Sequence, residues 1–383
     1  MKREIYLDNS ATTKVLPEVV ATVQEMMTKT YGNPSSLHKM GLAAEQIVRQ
    51  SRLTVAGIVG ARPEEIFFCS GGTEANNWAI QGIVRQSRTK PLHIITSQVE
   101  HPSVLRACQT MAQEGHQVTF LPVDPLGIVD PALVEKAISP NTVLVSLMHV
   151  NNETGAIQPI TEVGEILRRH PAIVFHVDGV QSFAKLPLDL HRAGISLFSL
   201  SGHKIHAPKG IGALYVRAGT RLTPLLWGGE QEGNLRAGTE NVPGIAALAM
   251  AAAIAGRHLV DFCHKMSELR NSFLAQIFSR LDRVKVNSPI DDTGTPHILN
   301  LSFEGVKAEV LLRMLQDQGI FASAGSACHS RRTAASHVLT AMGLQKKHLE
   351  GAIRFSFSVL NSKEEINLAA GKIVEAVTEL RSF

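Results

Sequence analysis

Three features of the sequence predict an α/β fold with a large, mainly parallel sheet and a smaller α+β unit. Between about residues 60 and 216, short apolar runs alternate with helical stretches. Several of these runs are apolar without strict alternation, as strands are when helices cover both faces of a parallel sheet. An Ala-rich helical stretch then leads into a second set of strands and helices towards the C-terminus.

The predicted strands are IFF (66–68), HIIT (93–96), VTFL (118–121), TVLVSL (142–147), IVFHV (173–177), LFSL (197–200) and GALYV (212–216). In such a sheet the ligand chemistry gathers at strand C-termini. From Val242 a helical pattern runs to Leu281 and serves as connector. The second unit holds a strand HILNLSF (297–303), a helix near 307–316, a loop with Cys328, a strand AIRFSFS (352–358) and a terminal helix from about Lys363. A chain of 383 residues is long for one core. The expected division is a large domain over 15–255, and a small domain built from 1–14 and 256–383 that carries the Cys328 loop. No internal repeat or low-complexity linker interrupts this plan.

Composition narrows the function. Lys and Arg number 38 against 34 Asp and Glu, a net charge of +4. The basic residues are scattered, with only short pairs such as Arg168-Arg169, Arg331-Arg332 and Lys346-Lys347, so direct nucleic-acid binding is not expected. MKREIYLDNS lacks the apolar core of a secretory signal, and no run approaches the roughly 18 apolar residues of a membrane span. The expectation is a cytoplasmic protein without a membrane segment. Cys69, Cys108, Cys263 and Cys328 are far apart and form no C-x-x-C pair, which argues against a disulfide framework or zinc ribbon. A special cysteine must therefore act as a thiol.

Several segments carry candidate chemistry. SGGTEANNWAI (70–80) runs from a strand through two glycines and Thr73 into a helix, a turn suited to phosphate. An ordinary helix start with Thr73 as N-cap explains it equally well. VEHPSV (99–104) places His101 at a strand C-terminus. HVDGVQS (176–182) puts Asp178 just past a buried strand and Gln181 on the next turn. A carboxylate there needs a partner, and either a cationic ring nitrogen or a helix terminus would serve. SLSGHKIHAPKGIGALYV (199–216) leads from a buried strand through Ser201 and His203 to Lys204. A desolvated amine is a nucleophile towards aldehydes, the chemistry of a Schiff-base lysine. Lys209 reads as a surface loop residue. His203 and His206 lack a third neighbouring ligand, so no metal site is predicted.

Taken together, SGGTEANN, VEHPSV, MHVNNETG, HVDGVQS, SLSGHKIHAPKG, GGEQEGNLRAGTEN, ASAGSACHS and AIRFSFS resemble the signature blocks of cysteine desulfurases of the NifS/IscS type. The resemblance runs from YLDNSATT (6–13) to the terminal helix. It implies the type I fold of enzymes that use pyridoxal 5'-phosphate, in a homodimer with the cofactor near the subunit interface. Lys204 would hold the cofactor as a Schiff base, Asp178 would pair with its ring nitrogen, Gln181 would contact its phenolic oxygen, and His101 would stack on the ring and shuttle protons. Gly72, Thr73, Ser201 and His203 would hold the phosphate, with Thr239 completing the cradle from the other subunit. Arg354 would bind the substrate carboxylate, assisted by Asn152. From the residues alone, a surface charge on a terminal strand is the preferred reading of Arg354.

By the same resemblance Cys328 would be the nucleophile that takes sulfur from L-cysteine, leaving L-alanine and a persulfide for a sulfur-acceptor protein of iron–sulfur assembly or tRNA or cofactor thiolation. Its small-residue loop, with His329, Arg331 and Arg332 close by, suits an exposed thiolate. Two positions depart from the family pattern: Gly179, where Ala is usual, and Ala335, where Pro is usual. Rivals are another reaction on the same fold, such as transamination, a lyase or selenocysteine chemistry, and a cofactor-binding regulator without catalysis.

Overall fold

The computed structural model describes residues 4–86, 91–325 and 336–382, so Cys328, Arg331, Arg332 and Ala335 lie outside the described residues. The chain starts with β1 (Ile5–Tyr6), α1 (Pro17–Thr28) and α2 (Lys39–Ile58). There follow β2 (Ile66–Cys69), α3 (Gly72–Val84), β3 (His93–Ser97), α4 (Pro102–Gln113), β4 (Gln117–Leu121), α5 (Pro131–Ala137), β5 (Thr142–Met148), α6 (Ile160–Leu167), β6 (Val174–Asp178), β7 (Leu197–Ser201) and β8 (Gly212–Val216). Then come α7 (Val242–Arg257), α8 (Leu259–Phe278), β9 (Val284–Val286), β10 (Ile298–Phe303), α9 (Ala308–Asp317), β11 (Ile320–Phe321), α10 (His337–Ala341), α11 (Lys346–Leu349), β12 (Ala352–Ser356) and α12 (Lys363–Arg381).

All seven apolar runs predicted before residue 217 are strands of one sheet, in the order β2-β8-β7-β6-β5-β3-β4. Only β8 runs against the others. The continuous apolar runs follow from burial on both sides, because successive strand residues point to opposite faces. Ile94, Leu144, Leu197 and Leu214 pack under α3 and α4. Their neighbours Ile95, Val145, Phe198 and Ala213 join the core formed with α1, α2, α6 and α7. A further core gathers β1, α8, β10, α9, β12 and α12 around Phe273, Phe303 and Phe355.

The continuous helix expected over 242–281 is two helices, α7 and α8, bent by 75° at His258. The Ala-rich face of α7 lies in the core with α1 and α2, whereas α8 presents Leu269, Phe273 and Ile277 to the core around β10 and β12. One straight helix could not reach both. No single described helix is long and apolar enough to cross a membrane.

Gly179 has a local explanation. A Cβ built there would lie 1.8 Å from Cζ of Phe198, whose ring is fully buried on β7. The large aromatic takes the volume that an alanine methyl would need. Gly179→Ala is therefore expected to lower stability by about 1–3 kcal/mol through overpacking, and Phe198→Leu in the same chain should recover most of the loss. Urea unfolding midpoints check this; a single variant that melts like the parent would show the ring moves aside freely.

Candidate active site

Strands β3, β5, β6 and β7 end at one edge of the sheet, and the order of strands reverses between β3 and β5, since β4 lies outside β3 and β6 lies beyond β5. A crevice opens at such a reversal. Here it is a cavity of about 390 Å³. Gly72, Thr73, His101, Asn152, Asp178, Gln181, Ser201, His203, Lys204 and Arg354 all line it. Residues up to 282 positions apart in the sequence thus meet in one place. Thr239 is exposed and outside this cavity, on a segment held near α3 by the pairing of Arg236 Nε and Nη2 with Glu74 at 2.9 and 3.3 Å.

The two glycines before α3 shape one end of the cavity. Gly71 has φ +149°, a conformation that favours glycine, and it is the N-cap residue of α3 without any side-chain cap. Thr73 is consequently the second residue of the helix, and the reading of Thr73 as N-cap does not hold. First-turn N–H groups have no acceptor within a helix, so an uncapped start beside a hydroxyl suits an anion.

At the centre stands Asp178, the last residue of β6. Its Oδ2 accepts from Asn76 Nδ2 at 2.7 Å and its Oδ1 from the Val180 N–H at 3.0 Å, so it closes a turn rather than a helix. Burial pushes its carboxyl above the usual range, against the pull of the Val180 N–H, Asn76 and the Lys204 charge. A cationic ring nitrogen would supply the missing compensation. Lys204, at the end of a single 3-10 turn after β7, donates from Nζ to the carbonyls of Ser10 (2.5 Å) and Ala11 (2.8 Å). Gln181 Nε2 donates to the same Ser10 carbonyl at 3.0 Å. His203 is pushed down to about 3, by burial first and then by nearby lysines, and so is neutral.

His101 is the N-cap of α4, and its Nδ1 accepts from the Ser103 N–H at 3.1 Å. Beside it Glu100 is fully buried, and burial lifts its carboxyl to about 8 even though Ser97 Oγ and the Met148 N–H donate to it. Arg354 is 1% exposed, which rules out the surface-charge reading. It donates from Nη1 to the Asn152 carbonyl (2.9 Å) and from Nη2 to Asp8 Oδ1 (2.8 Å).

Five buried polar atoms of residues lining the cavity find no hydrogen-bond partner among the described residues: Ser10 Oγ, Asn76 Oδ1, Asn152 Oδ1, Gln181 Oε1 and Arg354 Nε. Buried polar atoms left unpaired are costly, so their clustering marks a place for a polar group. With the uncapped helix start, the buried carboxylate and the amine, this donor set fits pyridoxal 5'-phosphate.

Cys69 and Cys108 are buried, and burial pushes both thiols up to about 12. Cys263 is half-buried, raised for the same reason, and its Sγ donates to the Lys185 carbonyl at 3.1 Å. The described residues that flank 326–335 both stand at Glu153, next to Asn152. Ser336 Oγ donates to Glu153 Oε2 at 2.5 Å, and a Cβ on Gly325 would lie 3.1 Å from that oxygen.

Sequence reasoning missed Ser10, Ala11, Asp8, Asn76, Glu100 and Ser103. Asp8, Ser10, Ala11 and Asn76 meet partners far away in the sequence, whereas Glu100 and Ser103 bond to Ser97 and His101 close by, and no spacing rule announces either kind.

The aminotransferase class-V family model matches residues 5–368. The chain is 40% identical to the cysteine desulfurase IscS of Dictyoglomus turgidum, over 100% of this chain and 97% of that one. It is 41% identical to the cysteine desulfurase IscS of Methanosarcina thermophila (100% and 94%) and 44% identical to a cysteine desulfurase of Trichormus azollae (99% and 94%). Among solved structures, a NifS-like protein superposes with a TM-score of 0.93 at 35% identity, covering 98% of this chain and 100% of that one. A structure described as SspA in complex with cysteine gives 0.83 at 35% identity, over 94% and 99%. With its fold, its strand-end cavity and likeness along its whole length, the chain belongs to the aminotransferase class-V family, among the cysteine desulfurases of the NifS/IscS type.

Proposed function

We propose that the chain converts L-cysteine to L-alanine and carries the released sulfur as a persulfide on Cys328. The observation that carries this reading is the convergence of Lys204, Asp178, His101 and Arg354 on one cavity. Pyridoxal 5'-phosphate, when bound, supplies an aldehyde for amines and an electron sink for negative charge at the substrate Cα. Lys204 would hold it, with Asp178 keeping its ring nitrogen charged and Gln181 contacting its phenolic oxygen. The start of α3 at Gly72 and Thr73 would bind its phosphate with Ser201 and His203. Arg354, buried and already oriented by Asp8 and the Asn152 carbonyl, would take the substrate carboxylate, and the Asn152 side-chain amide would assist by donating from Nδ2.

His101 would face the substrate as a proton carrier. The Cys328 thiolate would attack the substrate sulfur: an S–S bond forms, the Cβ–S bond breaks with its electron pair left on carbon, and that carbon takes up a proton to become the alanine methyl. The persulfide would pass to an acceptor protein of iron–sulfur assembly or thiolation. A homodimer suits this reading, because Met27, Tyr31 and Leu37 near α1 and α2 and Trp227 are large exposed apolar groups, and because Thr239 stands outside its own chain's cavity as a residue serving the partner would. We place the enzyme in the cytoplasm.

Purified protein incubated with L-cysteine and a thiol reductant should release alanine and sulfide in equal amounts. Alanine without sulfide, or pyruvate with sulfide, would refute the assignment in favour of another reaction on this fold.

A further inference from the structure

Nothing in the motif blocks assigns a role to Ser103, which is buried at the second position of α4. It lies on a chain of hydrogen bonds whose direction can be worked out from one end. Asp178, as a carboxylate, only accepts. Asn76 must therefore turn its NH₂ group, not its carbonyl, towards Asp178 Oδ2, at 2.7 Å. The second N–H of that group points to Ser103 Oγ at 2.8 Å. Ser103 Oγ accepts from Asn76, and its own proton is then free to go to the other neighbour, His101 Nδ1, at 2.7 Å. The Ser103 backbone N–H, which can only donate, reaches the same nitrogen at 3.1 Å. Two donors on Nδ1 leave no room for a proton there.

We propose that Ser103 is a positioning residue that, with Asn76, keeps the proton of His101 on Nε2. The ring thus enters the reaction neutral, with Nδ1 closed and its single proton on Nε2. This deepens the desulfurase reading and rests on it for the part His101 plays with substrate. It also couples two groups of the site: the orientation of Asn76, and through it the Ser103 hydroxyl, depends on Asp178 being ionised. The tautomer itself is a property of this chain's own residues.

The test is the long-range 1H–15N spectrum of the purified full-length protein labelled with 15N-histidine, with the His101 ring signals identified by their loss in His101→Gln. The expected wild-type result is a protonated Nε2 and an unprotonated, hydrogen-bonded Nδ1. Ser103→Ala should shift the Nδ1 resonance towards that of a nitrogen with fewer donors and should lower kcat for alanine release about tenfold, with KM for cysteine nearly unchanged. Ser103→Thr, which keeps the hydroxyl, should restore the wild-type spectrum. A proton on Nδ1 in the wild type, or a Ser103→Ala spectrum identical to it, overturns the proposal. The spectrum is read without turnover, so a protein that forms no alanine from cysteine would defeat the desulfurase reading while the tautomer was still decided on its own.

Discussion

Replacing Lys204 by Ala is expected to lower alanine release by at least a thousandfold, on the order of the loss seen when a covalent catalytic group is removed. The wild-type protein should be yellow, and borohydride should fix the cofactor to the peptide containing Lys204. Two other amines compete for the assignment. Lys209 is exposed at the mouth of the cavity, and Lys185 lines a small cavity of about 40 Å³ shared with Lys204. Burial, with a smaller push from the Lys204 charge, brings the Lys185 amine down to about 7, so it is a competent nucleophile in its own right. Position decides between them. Lys204 lines both the cavity with Asp178 and the one with Lys185, whereas Lys185 lines only the latter. A borohydride adduct mapped to Lys185 or Lys209 would overturn the assignment.

Cys328→Ser is expected to remove sulfide and persulfide formation by a similar factor while cysteine still binds, because Arg354, Asp178 and Lys204 are untouched. Mass spectrometry of the wild-type protein after one turnover should find the added sulfur on Cys328. The other thiols are poor candidates. At neutral pH a group near 12 is almost wholly protonated, so Cys69 and Cys108 offer no thiolate, and Cys263 is raised in the same direction and hydrogen-bonded to backbone. Persulfide on any of these three, together with wild-type turnover by Cys328→Ser, would sink the mechanism. Because His329, Arg331 and Arg332 flank the nucleophile in sequence, neutralising the arginines separates two roles. A higher pH for alkylation of Cys328 marks thiolate stabilisation; slower transfer alone marks docking of an acidic acceptor.

The large sheet was legible because its strands are buried on both faces, and that leaves runs such as TVLVSL that no surface strand would carry. The bend at His258 was not, since the Ala-rich pattern continues across it and the reason for the break lies in two different cores. β1 and β11, with two residues each, are too short for any periodicity. In the site, Lys204, Asp178 and His101 announced themselves at strand ends. Asn76 did not, because its importance comes from a carboxylate 102 positions away and a hydroxyl 27 positions away. Arg354 changed meaning altogether: on a terminal strand it looked exposed, but Asp8 and the Asn152 carbonyl hold it inside. The reason for Gly179 is Phe198, whose ring fills the space a methyl group would need and which no pattern near residue 179 announces.

The segment at residues 5–13 has a consequence for the order in which the protein takes shape. β1 pairs with β11, the Asn9 side chain and the Ser10 N–H bond to Ser356 across 347 and 346 positions, and the Ser10 and Ala11 carbonyls hold Lys204. Made before β12, this segment cannot dock until that strand has followed it, whereas β2 to β8 can pair as soon as Val216 is out. Contacts of such long range are the slow ones in folding. The large sheet can therefore stand as a nascent platform while the edge that carries the site is still open, and the pocket becomes complete only when residues 5–13 meet β11 and β12.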